Sequence, residues 1–220
     1  TAADSVRIWT IASTAGSIPT TSDVFPAGTL YKNVISDEAG HQVVEYKDLG
    51  GRLILKKVQL SPTPGTAHVG WLSTYYVYDI FSQLRFVIPP QAVVLINGNW
   101  DIVTTVADEL CFRYEYDQRH RMIIKKIPGA DEAWMVYDYL NRLVMTQDAN
   151  LRASGKWMVT TYDDQNRPVI TGLLMDANNR SYHQNLAYNS SSYPSTSSNF
   201  ELLTQTYYDN YDWAAAQGLA

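Results

Sequence analysis

One cysteine, Cys111, in 220 residues excludes an internal disulfide, and its apolar neighbours Leu110 and Phe112 mark it as a small buried side chain. The four histidines, His41, His68, His120 and His183, are dispersed, with none paired at ligand spacing and no cysteine partner, so no zinc site is expected. Basic residues are in deficit: 17 Lys and Arg against 22 Asp and Glu leave a net charge of -5. Nucleic-acid phosphates require a basic face, and Lys125-Lys126 is too short a run to supply one. No apolar run approaches the roughly 18 residues of a membrane span. A glycine-rich phosphate loop and a Gly-x-Ser-x-Gly elbow are both missing, and Gly50-Gly51 reads as a turn. No cofactor is expected. A signal peptide is absent too, and the chain opens Thr1-Ala2-Ala3-Asp4 without an initiator methionine, which reads as a processed form or an excised fragment.

What the chain does have is tyrosine and tryptophan, 16 and 6 residues, within a composition that is 45% hydrophobic. Aromatic side chains suit pleated, half-buried surfaces, and 220 residues are enough for one large β domain or two small ones. Val6, Ile8 and Thr10 alternate with Arg7 and Trp9 as a first strand. The Ser, Thr, Pro and Gly of residues 16–28 read as loop, so residues 1–27 form an N-terminal strand and loop and residues 28–220 the main sheet region. Within that region, residues 91–109 break the pattern as a short helical insert, with a helix capped by Asp101 and carrying Ile102, Val106 and Leu110. Residues 185–199, rich in Ser, Asn and Tyr, read as a low-complexity loop. Tyr208-Asp209 starts a turn without an obvious partner strand, and residues 213–216 read as a short helix or a truncated end.

One phrase recurs. Alternating bulky residues end in Tyr-Asp, two variable positions follow, then Gly, Asn or His, then Arg and a second apolar run. The clearest copies are Tyr116-Asp117…His120-Arg121, Tyr137-Asp138…Asn141-Arg142 and Tyr162-Asp163…Asn166-Arg167. Degenerate copies are Asp37…Gly40, Tyr46…Arg52 with one extra residue, Tyr78-Asp79 with Ser82 and Gln83, and Asp176…Asn179-Arg180. An Asp that accepts the N–H two residues on favours the first position of a type I turn. The residue three further on must take φ > 0, which Gly, Asn and His tolerate. Together they specify a three-residue hairpin loop closed by a bulge. Tyr and Arg flank that loop, close enough for Arg to lie over a ring or to pair with a neighbouring Asp. The fold class is therefore mostly β: successive antiparallel hairpins forming a continuous, curved or spiralling sheet. The unequal spacing of the copies implies insertions between repeats.

These residues resemble the YD repeat of rearrangement-hotspot (Rhs) proteins. The strings Val44-Glu45-Tyr46-Lys47-Asp48, Leu72-Ser73-Thr74-Tyr75-Tyr76-Val77-Tyr78-Asp79, Val87-Ile88-Pro89-Pro90 and Phe112-Arg113-Tyr114-Glu115-Tyr116-Asp117 are similar to those of very large bacterial surface or secreted members. The resemblance covers roughly residues 28–212. It implies a spiralling sheet of hairpins that closes into a hollow shell around a C-terminal toxic or effector domain, and an extracellular or cell-surface location. The core region that ends such shells, with its Asp-Pro cleavage site, has no counterpart here, and no length remains for an effector. The resemblance thus implies a piece of the wall in a longer protein. Its partners are the other repeats and the effector domain.

The expected function is accordingly a non-catalytic structural module. Two open sheet edges predict self-association. The alternative is a carbohydrate- or cell-surface-binding β module, with Trp71, Trp100, Trp134 and Trp157 as stacking candidates against a simpler packing role. An enzyme such as a glycosidase would require two carboxylates facing each other across a cleft. Asp131-Glu132 and Asp163-Asp164 are sequence neighbours, which point to opposite faces of a strand, and the repeated aspartates already have a turn to close.

Overall fold

A computed structural model describes residues 4–190, 192–208, 213 and 214. The chain divides into two compact units, Thr1–Ala130 and Asp131–Ala220. Both are built from antiparallel hairpins in which strands neighbour one another in chain order.

The first unit opens with β1 (Arg7–Thr10) and β2 (Thr20–Val24), a two-stranded ribbon. The β2 segment lies where a loop is expected. Its threonines and Val24 favour extended backbone, and pairing with β1 overrides the Ser/Pro/Gly composition around them. Next come β3 (Tyr31–Ser36), β4 (Gln42–Lys47), β5 (Leu53–Gln59), β6 (Trp71–Tyr78) and β7 (Leu84–Ile88). Alternation decides the faces. In β6, Ser73, Tyr75 and Val77 are buried while Thr74, Tyr76 and Tyr78 are half-exposed, the period of two that a pleated strand imposes.

Pro89 and Pro90 end β7 and start α1 (Pro90–Ile96), where the missing proline N–H costs nothing. The helix lays Ala92, Val93 and Ile96 into a core that also holds Leu55, Tyr75, Phe86 and Ile88. The second helix, α2 (Thr104–Leu110), starts later than the sequence predicts: Val103, not Asp101, is its N-cap. Trp100 turns the chain with φ 59°, and Ile102 enters the core before the helix begins, buried to 5% exposure. Burial of that apolar side chain overrides the capping preference of Asp101. Cys111 is fully buried, as expected, and burial pushes its thiol up to about 12. The unit ends with β8 (Phe112–Tyr116) and β9 (Met122–Lys126).

The second unit holds β10 (Ala133–Tyr137), β11 (Leu143–Gln147), the short α3 (Ala149–Ala153), β12 (Lys156–Tyr162), β13 (Pro168–Met175), α4 (Arg180–Asn189) and β14 (Phe200–Gln205). Its core is centred on Val136, Met145, Trp157, Val159 and Ala187. Two sequence expectations change here. Asp176, Asn179 and Arg180 do not form a hairpin turn: Asn179 has φ -79° and its side chain accepts the Tyr182 N–H as the N-cap of α4. Residues 185–189 consequently lie in that helix rather than in a loop. Asp209 of the expected Tyr208-Asp209 turn, and residues 215 and 216 of the expected terminal helix, fall outside the described residues.

Close approach fixes one glycine. A Cβ on Gly172, in β13, would meet the Phe200 ring and the Glu201 carbonyl of β14, so only hydrogen fits. Gly172→Ala should destabilise the β13–β14 pairing by about 1–3 kcal/mol. Faster amide exchange at Leu202 and Thr204 would show it, and unchanged exchange would contradict the packing.

Candidate functional site

The feature repeated most often is a hairpin loop that opens on Asp, and most of its hydrogen bonds recur from copy to copy. At Asp138, Oδ1 accepts the N–H groups of Leu140 and Arg142, both at 2.9 Å, and Oδ2 accepts Arg142 Nε–H at 2.6 Å. The Asn141 N–H reaches back to the Asp138 carbonyl, and the Asp138 N–H donates to the Arg142 carbonyl. Asp163 repeats this with Gln165 and Arg167, and Asp117 with Arg119 and Arg121. The carboxylate binds backbone through one oxygen and a guanidinium through the other, and charge strengthens both contacts.

The fourth loop position is left-handed throughout: Gly40 and Gly51 at φ 83°, Ser82 at 63°, His120 at 60°, Asn141 at 65° and Asn166 at 62°. The register slips by one residue beside the loop in all but the Asp37 hairpin, as between Val136 and Tyr137 or Val77 and Tyr78. That is the predicted bulge. In the Asp37 hairpin, His41 stands where arginine is usual, with Nδ1 3.3 Å from Asp37 Oδ2. Gln83 replaces arginine after Asp79, and Arg85, two residues on, supplies the guanidinium instead at 3.8 Å.

One assignment moves. The turn ending in Arg52 is closed by Asp48, which takes the Arg52 N–H at 2.8 Å and Nε–H at 2.6 Å, with Gly51 in the left-handed position. Lys47, opposite Leu53 across the bulge, occupies the place that tyrosine takes elsewhere. Tyr46 instead points into the core at 1% exposure. The apparent extra residue was an offset of the tyrosine. The unbroken Asp-x-x-Gly-Arg of residues 48–52 was the signal for it.

The flanking Tyr and Arg do more than finish their own hairpin. Arg142 lies over the ring of Tyr162, which belongs to the following hairpin, 5.1 Å from its centroid. Its Nη1 donates to Asn166 Oδ1 at 3.1 Å. Tyr162 answers by donating its hydroxyl to the Leu143 carbonyl at 2.9 Å. Arg52 likewise lies over Tyr78 and reaches Ser82 Oγ. Arg167 lies over Tyr208, whose hydroxyl donates to the Pro168 carbonyl, and Tyr116 donates to the Leu84 carbonyl. An arginine thus closes its own loop and stacks on the tyrosine of the next.

Several turn carboxyls titrate low. Burial pushes Asp48 up, but the Arg52 guanidinium and N–H with the Gly50 N–H outweigh it and hold the carboxyl below its ordinary 3.8. Asp117 behaves in the same way, with burial opposed by Arg121 and the Arg119 N–H. For exposed Asp37 and half-buried Asp163 the leading cause is the N–H of His41 and Arg167 respectively.

The remaining candidates are accounted for by packing. Trp157 is fully buried. Trp134, Trp71 and Trp100 are half-buried, each with a cation over its ring: Arg152, Lys57 and Arg7 respectively. Glu132 accepts the Trp134 indole N–H. Among the described residues, no group of three or more His, Cys, Asp and Glu is placed to hold a metal ion, and no helix is long and apolar enough to cross a membrane.

No family model and no curated protein matches the chain. Solved structures do. A crystal structure of TcdB2-TccC3-TEV aligns at 19% identity and TM-score 0.47, over 61% of this chain and 6% of that one. The Photorhabdus luminescens Tc holotoxin pore carrying a TccC3 mutation aligns at 17% identity and TM-score 0.46, over 63% and 6%. TcdB2-TccC3 without its hypervariable C-terminal region aligns at 17% and 0.45, over 61% and 6%. The chain spans a small fraction of the structures it matches, and a likeness of this size carries nothing about partners or activity.

Asp138→Ala removes three hydrogen bonds from one loop and should cost at least the 1 kcal/mol or so of a lost side-chain cap. A lowered melting temperature checks this, and an unchanged one contradicts the turn. A second expectation concerns pH. Carboxyls held low in the folded chain bind fewer protons than the unfolded chain does as pH falls toward 3.8. Their stabilisation is complete above that value and is lost as pH drops through it and below. The urea midpoint should therefore fall between about pH 6 and pH 3, less so in an Asp48→Asn, Asp117→Asn variant.

Proposed function

We propose that the chain is a non-catalytic structural module, a stretch of β-sheet wall in a large bacterial surface or secreted protein of Rhs type that encloses or displays an effector domain. The observation that carries this reading is the use made of the repeated side chains. The loop aspartates bind backbone N–H groups, most of them also hold an arginine in the same hairpin, and Arg52 and Arg142 stack on the next hairpin's tyrosine, as Arg167 does on Tyr208 after β14. Catalytic carboxylates need a free face toward substrate and pKa values pushed apart. These carboxylates have their oxygens engaged, and four of them are shifted in the same direction. A unit that repeats one tie between neighbours adds hairpins without changing their chemistry, as a wall requires. The resemblance to YD repeats supplies the enclosed domain and the extracellular setting.

Cryo-electron microscopy of the intact parent protein tests the reading. Expected is a sheet containing residues 31–205 with its face turned to a lumen that holds further polypeptide. A parent in which this sheet faces solvent on both sides, or one that ends without a further domain, overturns it. Saturable glycan binding that quenches tryptophan fluorescence would favour the binding-module alternative.

A further inference from the structure

The first unit carries a groove flanked by the Asp48 and Asp79 turns. It has a volume of about 770 Å³ and runs between β1 and the tips of two hairpins. A second hollow of about 420 Å³ continues it, sharing Ile11, Asp79 and Ile80. Two joined hollows make an elongated site, whereas a compact small molecule fits one rounded cavity.

One wall is the strand and the residue after it: Ile8 to Thr10 of β1 and then Ile11 line the groove. Side chains of a strand alternate, so a run of four lining residues means that the strand's edge borders the space. Among the described residues β1 pairs with β2 on one side only. On the other, the Arg7 N–H is taken by the Tyr75 hydroxyl, the Ile8 main chain faces β2, and the open portion begins at Trp9. The opposite wall includes Leu49 and Ile80, the second residues of their loops, 73% and 89% exposed. Those positions are free of the turn's own constraints, which hydrophilic residues satisfy at Gln118 and Asp164.

The charges along the groove are already matched. Asp48 is bound by Arg52 at 2.6 Å and Asp79 pairs with Arg85 at 3.8 Å. A charged ligand would have to break one of these pairs, so the complementary occupant is uncharged. An open strand edge facing apolar loop tips is the setting for strand addition, where main-chain bonds give affinity and alternate side chains enter pockets.

We propose that this groove binds an extended, uncharged, apolar polypeptide segment as a third strand on β1. Its source rests on the wall reading: the segment belongs to the enclosed domain. The groove itself is tested with free peptide, and that experiment fails or succeeds independently of the parent's architecture.

The probe is a fluorescein-labelled peptide of alternating Val and Ser, about six residues long to match an ordinary strand, followed by fluorescence polarisation. A second peptide replaces each Ser with Pro, which cannot donate to a strand edge. The Val-Ser peptide should bind saturably and the Pro peptide should not. Leu49→Gln with Ile80→Gln should weaken binding roughly tenfold or more, while Leu140→Gln, at an exposed loop tip of the second unit, should leave it unchanged. The substituted positions are exposed, and an unchanged melting temperature confirms that the variants fold. Absent or unsaturable binding overturns the proposal, as does equal binding of the Pro peptide. So does a double variant that binds as tightly as the parent chain, or an equal loss in Leu140→Gln.

Discussion

Each hairpin depends on an aspartate that closes its own loop. A left-handed residue at the fourth position costs energy for any side chain but glycine, and a bulge interrupts the ladder. The carboxylate offsets both by taking two loop N–H groups and, in most copies, a guanidinium. At Asp138 the side chain is 2% exposed, so its charge cannot be left without partners: breaking the pair would strand a buried carboxylate at a cost of several kcal/mol. The loop conformation is in this way tied to the folded sheet.

The arginine converts a local device into a repeating one. A lysine could neutralise the aspartate, but its compact ammonium lacks the planar fork that binds a carboxylate edge and an aromatic face together. Arg142 uses Nε on its own loop, Nη1 on Asn166 and its plane on Tyr162. Tyr162 returns a hydroxyl hydrogen bond to Leu143. Neighbouring hairpins are therefore held by main-chain pairing in the sheet and by this tie at the loop end. Insertions such as α3, capped by Asp148, are accommodated because they leave that end untouched.

The loops were legible in the sequence because their chemistry is local. Asp, a left-handed residue and Arg lie within five positions, and the bulged loop satisfies all three. The same letters misled at Asp176…Asn179-Arg180. The difference lies in the residues after the loop: Met122-Ile123-Ile124 and Pro168-Val169-Ile170 continue as strands, whereas Ser181-Tyr182-His183-Gln184 continues as helix, and Asn179 turns from a bulge residue into a cap. Tyr46 misled for another reason. The buried aromatic next to Lys47 looked like the repeat tyrosine, and only the bulge shows which residue stands opposite Leu53. The stacking partner of each arginine lies about twenty to forty residues away along the chain, so its sequence neighbourhood leaves open which ring it covers.

A double-mutant cycle between Arg142 and Tyr162 tests the tie between hairpins most directly. Arg142→Ala, Tyr162→Leu and the pair are compared by denaturant unfolding. A tie between successive hairpins predicts that the summed single losses exceed the loss in the double variant, with a coupling of about 0.5–1 kcal/mol from the stacked cation. Strictly additive losses would contradict it and leave main-chain pairing alone to hold one hairpin to the next.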